Sequence, residues 1–202
     1  MNKPMPDRTA QLSRKTGETD ISLSLKLDGT GRSTLDTGVG FFDHMLDLLA
    51  THAMIDLDIS AKGDLHVDDH HTVEDVGLTL GKAIAQAVGD KKGIRRYGHC
   101  VLPMDETLAI CGLDLSGRAY CRIDAEYRSP TIGTFAVELV DEFWKSVSAE
   151  AKMTLHVDVT RGTNTHHIAE AIFKSVARSL RMALEPDPRQ SGIPSSKGTL
   201  SD

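Results

Sequence analysis

The chain repeats itself. Residues 70–84 read HHTVEDVGLTLGKAI, and residues 166–180 read HHIAEAIFKSVARSL. One constant shift places His70 on His166, His71 on His167 and Glu74 on Glu170. The same shift pairs Val76 with Ile172, Leu80 with Val176 and Ile84 with Leu180. An internal duplication reshapes every later inference, because the architecture of one half predicts that of the other. Further pairs follow at slightly different shifts. Glu18-Thr19 precedes ISLSLKLDG, and Glu106-Thr107 precedes LAICGLDLSGR. Phe41-Phe42 lies beside His44, and Phe143-Trp144 beside Glu142. DLDIS (Asp56 to Ser60) answers LHVDV (Leu155 to Val159), and both alternate like strands. Each half is therefore predicted to run strand, strand, helix, strand, helix. The expected boundaries are a disordered N-terminus at 1–7, halves at 8–93 and 94–188, and a C-terminal loop and tail at 189–202.

The two HHxxE segments share a helical geometry. At about 100° per residue the second His lies near 100° from the first, and the Glu near 40°, between the two imidazoles. Ile172, Phe173, Val176 and Leu180 fill an arc from about 240° to 340°, as do Val76, Gly77, Leu80 and Ile84 in the first copy. Each polar cluster thus flanks a stripe that faces the core. Lys91-Lys92-Gly93 after the first helix, and Pro186 and Pro188 after the second, are stop signals.

Imidazole and carboxylate together suit divalent Mn, Fe, Co, Ni or Zn. Neighbouring histidines diverge on a helix, so each pair is expected to serve two different ions, drawing on the other HHxxE copy or on a neighbouring subunit. The repeat adds His44 and Glu142 as further candidates. Eight ligands would furnish two four-ligand sites with open positions. His52 lies eight residues after His44, aimed at the same pocket or capping the helix end. His66 is read as surface in a short strand. His99 is read as a non-ligand, and His156 as a supporting group at most.

Composition excludes several classes. The 202 residues allow one large domain or two small ones. A net charge of -6 without a basic run argues against nucleic-acid binding. No stretch approaches the ~18–20 apolar residues that cross a bilayer, and the polar N-terminus lacks a signal-peptide core. A cytoplasmic protein without a membrane partner is expected. Cys100, Cys111 and Cys121 are odd in number and lack CxxC spacing, so they read as small buried residues. SGIPSSKG near the end is Ser- and Gly-rich; it reads as a mobile tail or as a loop that wraps phosphate through backbone N–H groups, hydroxyls and Lys197.

GETDISLSLKLDGTG, GFFDHMLDLLATH, GDLHVDDHHTVEDVGLTLG, RRYGHCVLPMDETLA, DLSGR, THHIAEAIFKS and SGIPSSKG occur in that order. Together they resemble the imidazoleglycerol-phosphate dehydratase family in its stand-alone form, over nearly the whole chain after about residue 8. The resemblance implies an α+β fold of two similar halves, each a four-stranded sheet packed on helices (ribosomal protein S5 domain 2-like). It implies a homo-oligomer of 24 subunits with active sites at subunit interfaces and two Mn2+ per site. The ligands it implies are His44, His70, His71, Glu74, Glu142, His166, His167 and Glu170. Many members of the family carry His where this chain has Glu142, which makes the donor set harder.

The implied reaction dehydrates D-erythro-imidazole-glycerol phosphate to imidazole-acetol phosphate in L-histidine biosynthesis. No carbonyl activates the proton to be lost, so an electron sink is needed. A metal on a ring nitrogen favours the imidazolate, whose electrons expel the side-chain hydroxyl. The resemblance assigns proton movement to Glu18. It assigns the substrate phosphate to Arg96, Arg118, Lys174, Ser196 and Lys197, with His52 nearby. Two other readings fit the ligand pattern: a metal-storage shell without activity and a metal-dependent hydrolase. Storage leaves Arg96, Arg118 and the SSKG loop without a task, and the HExxH and PCxxC markers of metal hydrolases and deaminases are absent.

Overall fold

Strict alternation forms the central strands. In Thr19–Lys26 the side chains of Ile21, Leu23 and Leu25 turn inward and are buried, while Asp20 and Ser22 face out. This strand belongs to a computed structural model that describes residues 8–200. The expected disordered segment 1–7 lies outside the described residues. The first half contains β1 (Thr9–Lys15), β2 (Thr19–Lys26), β3 (Ser33–Asp36), α1 (Gly40–Ala53), β4 (Asp56–Gly63) and α2 (His70–Val88). The second contains β5 (Tyr97–Met104), β6 (Thr107–Asp114), β7 (Tyr120–Asp124), α3 (Glu138–Ala151), β10 (Thr154–Arg161) and α4 (Thr165–Leu184). A short hairpin, β8 (Thr131–Ile132) and β9 (Phe135–Ala136), is inserted before α3.

The duplication is carried through to topology. The sheets run β1-β2-β4-β3 and β5-β6-β10-β7, antiparallel except for the parallel pairs β3 with β4 and β7 with β10. The expected two similar α+β halves with four-stranded sheets are present. Two details differ from the sequence reading. A third strand precedes the first helix of each half. These edge strands, STLD and YCRID, are only half buried and too short for alternation to be distinctive. His66 sits in a turn between β4 and α2, not in a strand.

The sheets are the outer layers and the helices the inner ones. α2 packs on β1 and β2, α4 on β5 and β6, and the helices mate across the halves: α1 against α4, and α2 against α3. Phe42, Phe143, Trp144 and Phe173 meet in this helical layer as an aromatic cluster. Gly77 permits the close crossing of α2 and α3, since a Cβ there would stand 2.9 Å from the Phe143 carbonyl oxygen. Because α1 belongs to one half and α4 to the other, a site between them draws on both.

Candidate metal centre and phosphate pocket

α4 begins with Asn164, whose side chain accepts the backbone N–H of His166 and His167. That cap fixes the start of the helix and with it both imidazoles. His166 Nε2 then lies 2.9 Å from Glu170 Oε1, one turn on, and His44 Nε2 reaches the same oxygen from α1 at 2.8 Å. Among the described residues this is the one group of three His, Cys, Asp or Glu whose donor atoms all lie within 4.8 Å. Lys174 donates to the other oxygen, Glu170 Oε2, at 2.6 Å. Burial opposes ionisation of Glu170, yet the hydrogen bonds from Lys174, His44 and His166 outweigh it and hold the carboxyl near 2. Two imidazoles and an ionised carboxylate converging on one point fit an intermediate divalent ion.

The partner histidines of each pair point elsewhere, as helical spacing predicted. His167 Nδ1–H donates to Glu106 Oε2 at 2.8 Å, and Glu106 Oε1 accepts the backbone N–H of Thr163 and Asn164. The His167 contact and these N–H groups hold Glu106 far below the usual carboxylate range, and Glu106 in turn raises His167. His71 Nδ1–H donates to Asp64 Oδ2 at 3.0 Å, which raises His71 in the same way. Each carboxylate fixes the tautomer, so Nε2 of His71 and of His167 is the atom left to ligate. Asp64 and Glu106 were not foreseen as site residues. Glu106 already stood in the repeat beside Glu18, but nothing local to it announces a histidine partner 61 positions away.

The first-half cluster is looser within one chain. His70 Nε2 and Glu74 Oε2 stand 3.9 Å apart on α2. Glu142 is half buried on α3, the helix that packs on α2 as α1 packs on α4. Glu18 sits at the tip of the β1–β2 turn, 54% exposed, with Oε1 3.7 Å from His71 Nε2.

Four of the residues assigned to phosphate do meet. Arg96, Arg118, Ser196 and Lys197 line one cavity of about 370 Å³ with Ser116 and Gly117. The C-terminal segment folds over it: Arg96 donates to the Pro194 carbonyl at 2.8 Å, and a Cβ on Gly117 would collide with the Leu200 carbonyl. Arg96 is itself clamped by Asp114 through Nε and Nη2. Arg8 and Asp28 repeat this clamp in the first half. His52 and Lys174 do not line the cavity. They adjoin one another with Arg178, and burial, then these two cations, lowers the His52 pKa. A larger cavity of about 680 Å³, on the open face of the first sheet, is walled by residues such as Ser13, Ser22, Ser24 and Ser60 and holds none of the expected site residues.

The family model for imidazoleglycerol-phosphate dehydratase matches residues 37–180. The chain belongs to the imidazoleglycerol-phosphate dehydratase family. Among curated relatives, the imidazoleglycerol-phosphate dehydratase of Roseobacter denitrificans is 59% identical over 194 residues, covering 96% of this chain and all of its own length. That of Polaromonas sp. is 58% identical over 198 residues, covering 98% and 96%. Among solved structures, the family member from Staphylococcus aureus has a TM-score of 0.81 at 41% identity, with 89% of this chain and 99% of that one covered. The member from Pyrococcus furiosus has a TM-score of 0.82 at 32% identity, with 94% and 100% covered. Among the described residues no helix is long and apolar enough to cross a membrane.

Proposed function

We propose that this protein dehydrates D-erythro-imidazole-glycerol phosphate to imidazole-acetol phosphate in L-histidine biosynthesis, as a cytoplasmic, metal-dependent homo-oligomer of 24 chains. Family membership supports the hydro-lyase activity. The convergence of His44, His166 and Glu170 is the observation that carries the metal dependence.

Two Mn2+ per active site would be held by His44, His70, His71, Glu74, Glu142, His166, His167 and Glu170. A divalent ion there supplies Lewis acidity to the imidazole ring and to the hydroxyl that leaves. Within one chain α2 packs on α3 and α4 on α1. The His44 cluster includes neither His71 nor His167, which suits ligation completed by a neighbouring subunit.

The chain's own groups do the rest. Asp64 and Glu106 hold the Nδ1–H of two histidines, so that in the neutral ring Nε2 is the nitrogen turned to the metal. Lys174 keeps Glu170 ionised. Glu18, exposed and beside His71, removes the carbon-bound proton and returns a proton to the hydroxyl departing as water. Arg118, Ser196 and Lys197 bind the dianionic phosphate, with Arg96 held rigid by Asp114 beneath them. Lys174 and His52 would reach the phosphate from a second chain.

The test is a dehydration assay joined to elemental analysis on the purified, manganese-reconstituted protein. Turnover that is lost on chelation and returns with manganese is expected. A fully active protein free of metal would overturn the metal-dependent reading, and metal binding without turnover would leave a storage shell.

A further inference from the structure

The duplication supplies two carboxylates at the same place, Glu18 before β2 and Glu106 before β6, yet only Glu106 is held by hydrogen bonds, while Glu18 Oε1 stands 3.7 Å from His71 Nε2. Glu106 is locked by His167, Thr163 N–H, Asn164 N–H and the Thr107 hydroxyl. If Glu18 followed its counterpart, it would be tied to Nδ1 of His71 and to the hydroxyl of Thr19. Neither contact is made. Asp64, the first residue after β4, already takes His71 Nδ1. At the corresponding place after β10 stands Gly162, which has no side chain to do so. Thr19 instead donates its hydroxyl to Asp75 Oδ2 on α2.

Asp75 is 5% exposed and its other oxygen accepts Arg14 Nε at 2.8 Å. In the second half the positions of Arg14 and Asp75 are taken by Leu102 and Ala171, so no such network exists there. The Glu18 turn is otherwise short and local. Thr16 closes it by accepting the backbone N–H of Glu18 and Thr19 on its hydroxyl. Its hydrogen-bonded tie to the helix that carries His70, His71 and Glu74 runs through Thr19 and Asp75.

We propose that Asp75, held by Arg14 and gripping Thr19, is the positioning residue that makes Glu18, and not its internal counterpart Glu106, the acid–base group. This rests on the assignment of proton transfer to Glu18. A carboxylate needs freedom from permanent donors to exchange protons, and a fixed origin to reach the substrate. Diverting Thr19 to Asp75 provides both at once: it withdraws the hydroxyl from Glu18 and anchors the turn on α2.

The test uses the metal-reconstituted protein with Asp75→Asn, Thr19→Val and Thr19→Ser. Asp75→Asn and Thr19→Val should lower kcat on the order of 10- to 100-fold, with KM and bound metal within about twofold. Thr19→Ser keeps the hydroxyl and should restore most of kcat, which a purely structural role for the position would not separate from Val. Should Asp75→Asn fail to fold, the Thr19 pair carries the test, because it leaves the Arg14–Asp75 pair in place. Unchanged kcat in Thr19→Val while Glu18→Gln is inactive would overturn the positioning role alone. So would a loss of metal in Thr19→Val that parallels its loss of rate. Full turnover in Glu18→Gln would instead remove the assignment beneath it.

Discussion

Glu106 holds the Nδ1–H of His167 at 2.8 Å while two backbone N–H groups hold Glu106. The imidazole is thereby raised above its ordinary value, and so is His71 beside Asp64. A pKa raised in the folded state stabilises at pH below the unfolded value of ~6.5, and that contribution is lost as pH rises through the folded value. Chelator-treated protein should therefore lose this increment of stability between about pH 6.5 and the raised pKa. Glu106→Gln should abolish its part of the slope. Ring titration of His167 by NMR in metal-free protein checks the cause directly, since the variant's midpoint should fall.

Glu170 is the shared acceptor of His44, His166 and Lys174. Glu170→Gln is expected to lower bound metal per chain, because a neutral amide is a poorer ligand and would leave Lys174 as an unpaired cation beside the site. Lys174→Met removes that cation's partner role while sparing the three donor atoms. Metal analysis should rank Glu170→Gln well below Lys174→Met. Equal, undiminished stoichiometry in both would remove Glu170 from the ligand set.

Arg118 is exposed at the mouth of the cavity shared with Ser196 and Lys197. Arg118→Ala should raise KM by roughly 10-fold or more, the loss of one charge-assisted contact worth about 1.5–3 kcal/mol, with a smaller change in kcat. Arg96→Ala is a different experiment. It also frees Asp114 and the Pro194 carbonyl, so the C-terminal segment loosens and melting temperature falls as well. Thermal protection by inorganic phosphate separates the two: Arg118→Ala loses protection from a normal melting point, and Arg96→Ala starts from a lower one.

What could be read from the sequence was what repeats or is periodic. The alternation of ISLSL and the apolar arc after each HHxxE placed strands and helices, because those signals are local. The eight ligand candidates came from the duplication and the resemblance; the structure adds that position one and the Glu converge, as His166 and Glu170 do, while position two turns away. β3 and β7 were missed because four or five half-buried residues carry little pattern. Asp64, Asp75, Glu106 and Asp114 escaped for another reason. Their partners are set by how separate elements approach, which composition and spacing do not encode. Lys174 is the opposite case, since its near neighbour is Glu170, one turn away on its own helix, a spacing that the sequence does show.

Gly77 ties packing to the first-half cluster. It lies one turn past Glu74 on α2, where its missing side chain admits the Phe143 carbonyl and the Ser146 Cβ, each 2.9 Å from where a Cβ would stand. Glu142 immediately precedes Phe143 on α3. Gly77→Ala gains about 1 kcal/mol in helix propensity but incurs about 1–3 kcal/mol of overpacking, because the opposing carbonyl oxygen and Cβ are fixed to the α3 backbone and cannot rotate away. The expected net is a modest loss of stability, seen as a lower melting temperature in metal-free protein. The larger effect should fall on metal. Pushing α3 outward shifts Glu142 relative to α2, the helix that carries His70 and Glu74, so bound metal should drop more than stability does, whereas the His44 cluster between α1 and α4 keeps its geometry. A variant with wild-type metal content and a normal melting temperature would show that the crossing relaxes freely and that Gly77 does not set the position of Glu142.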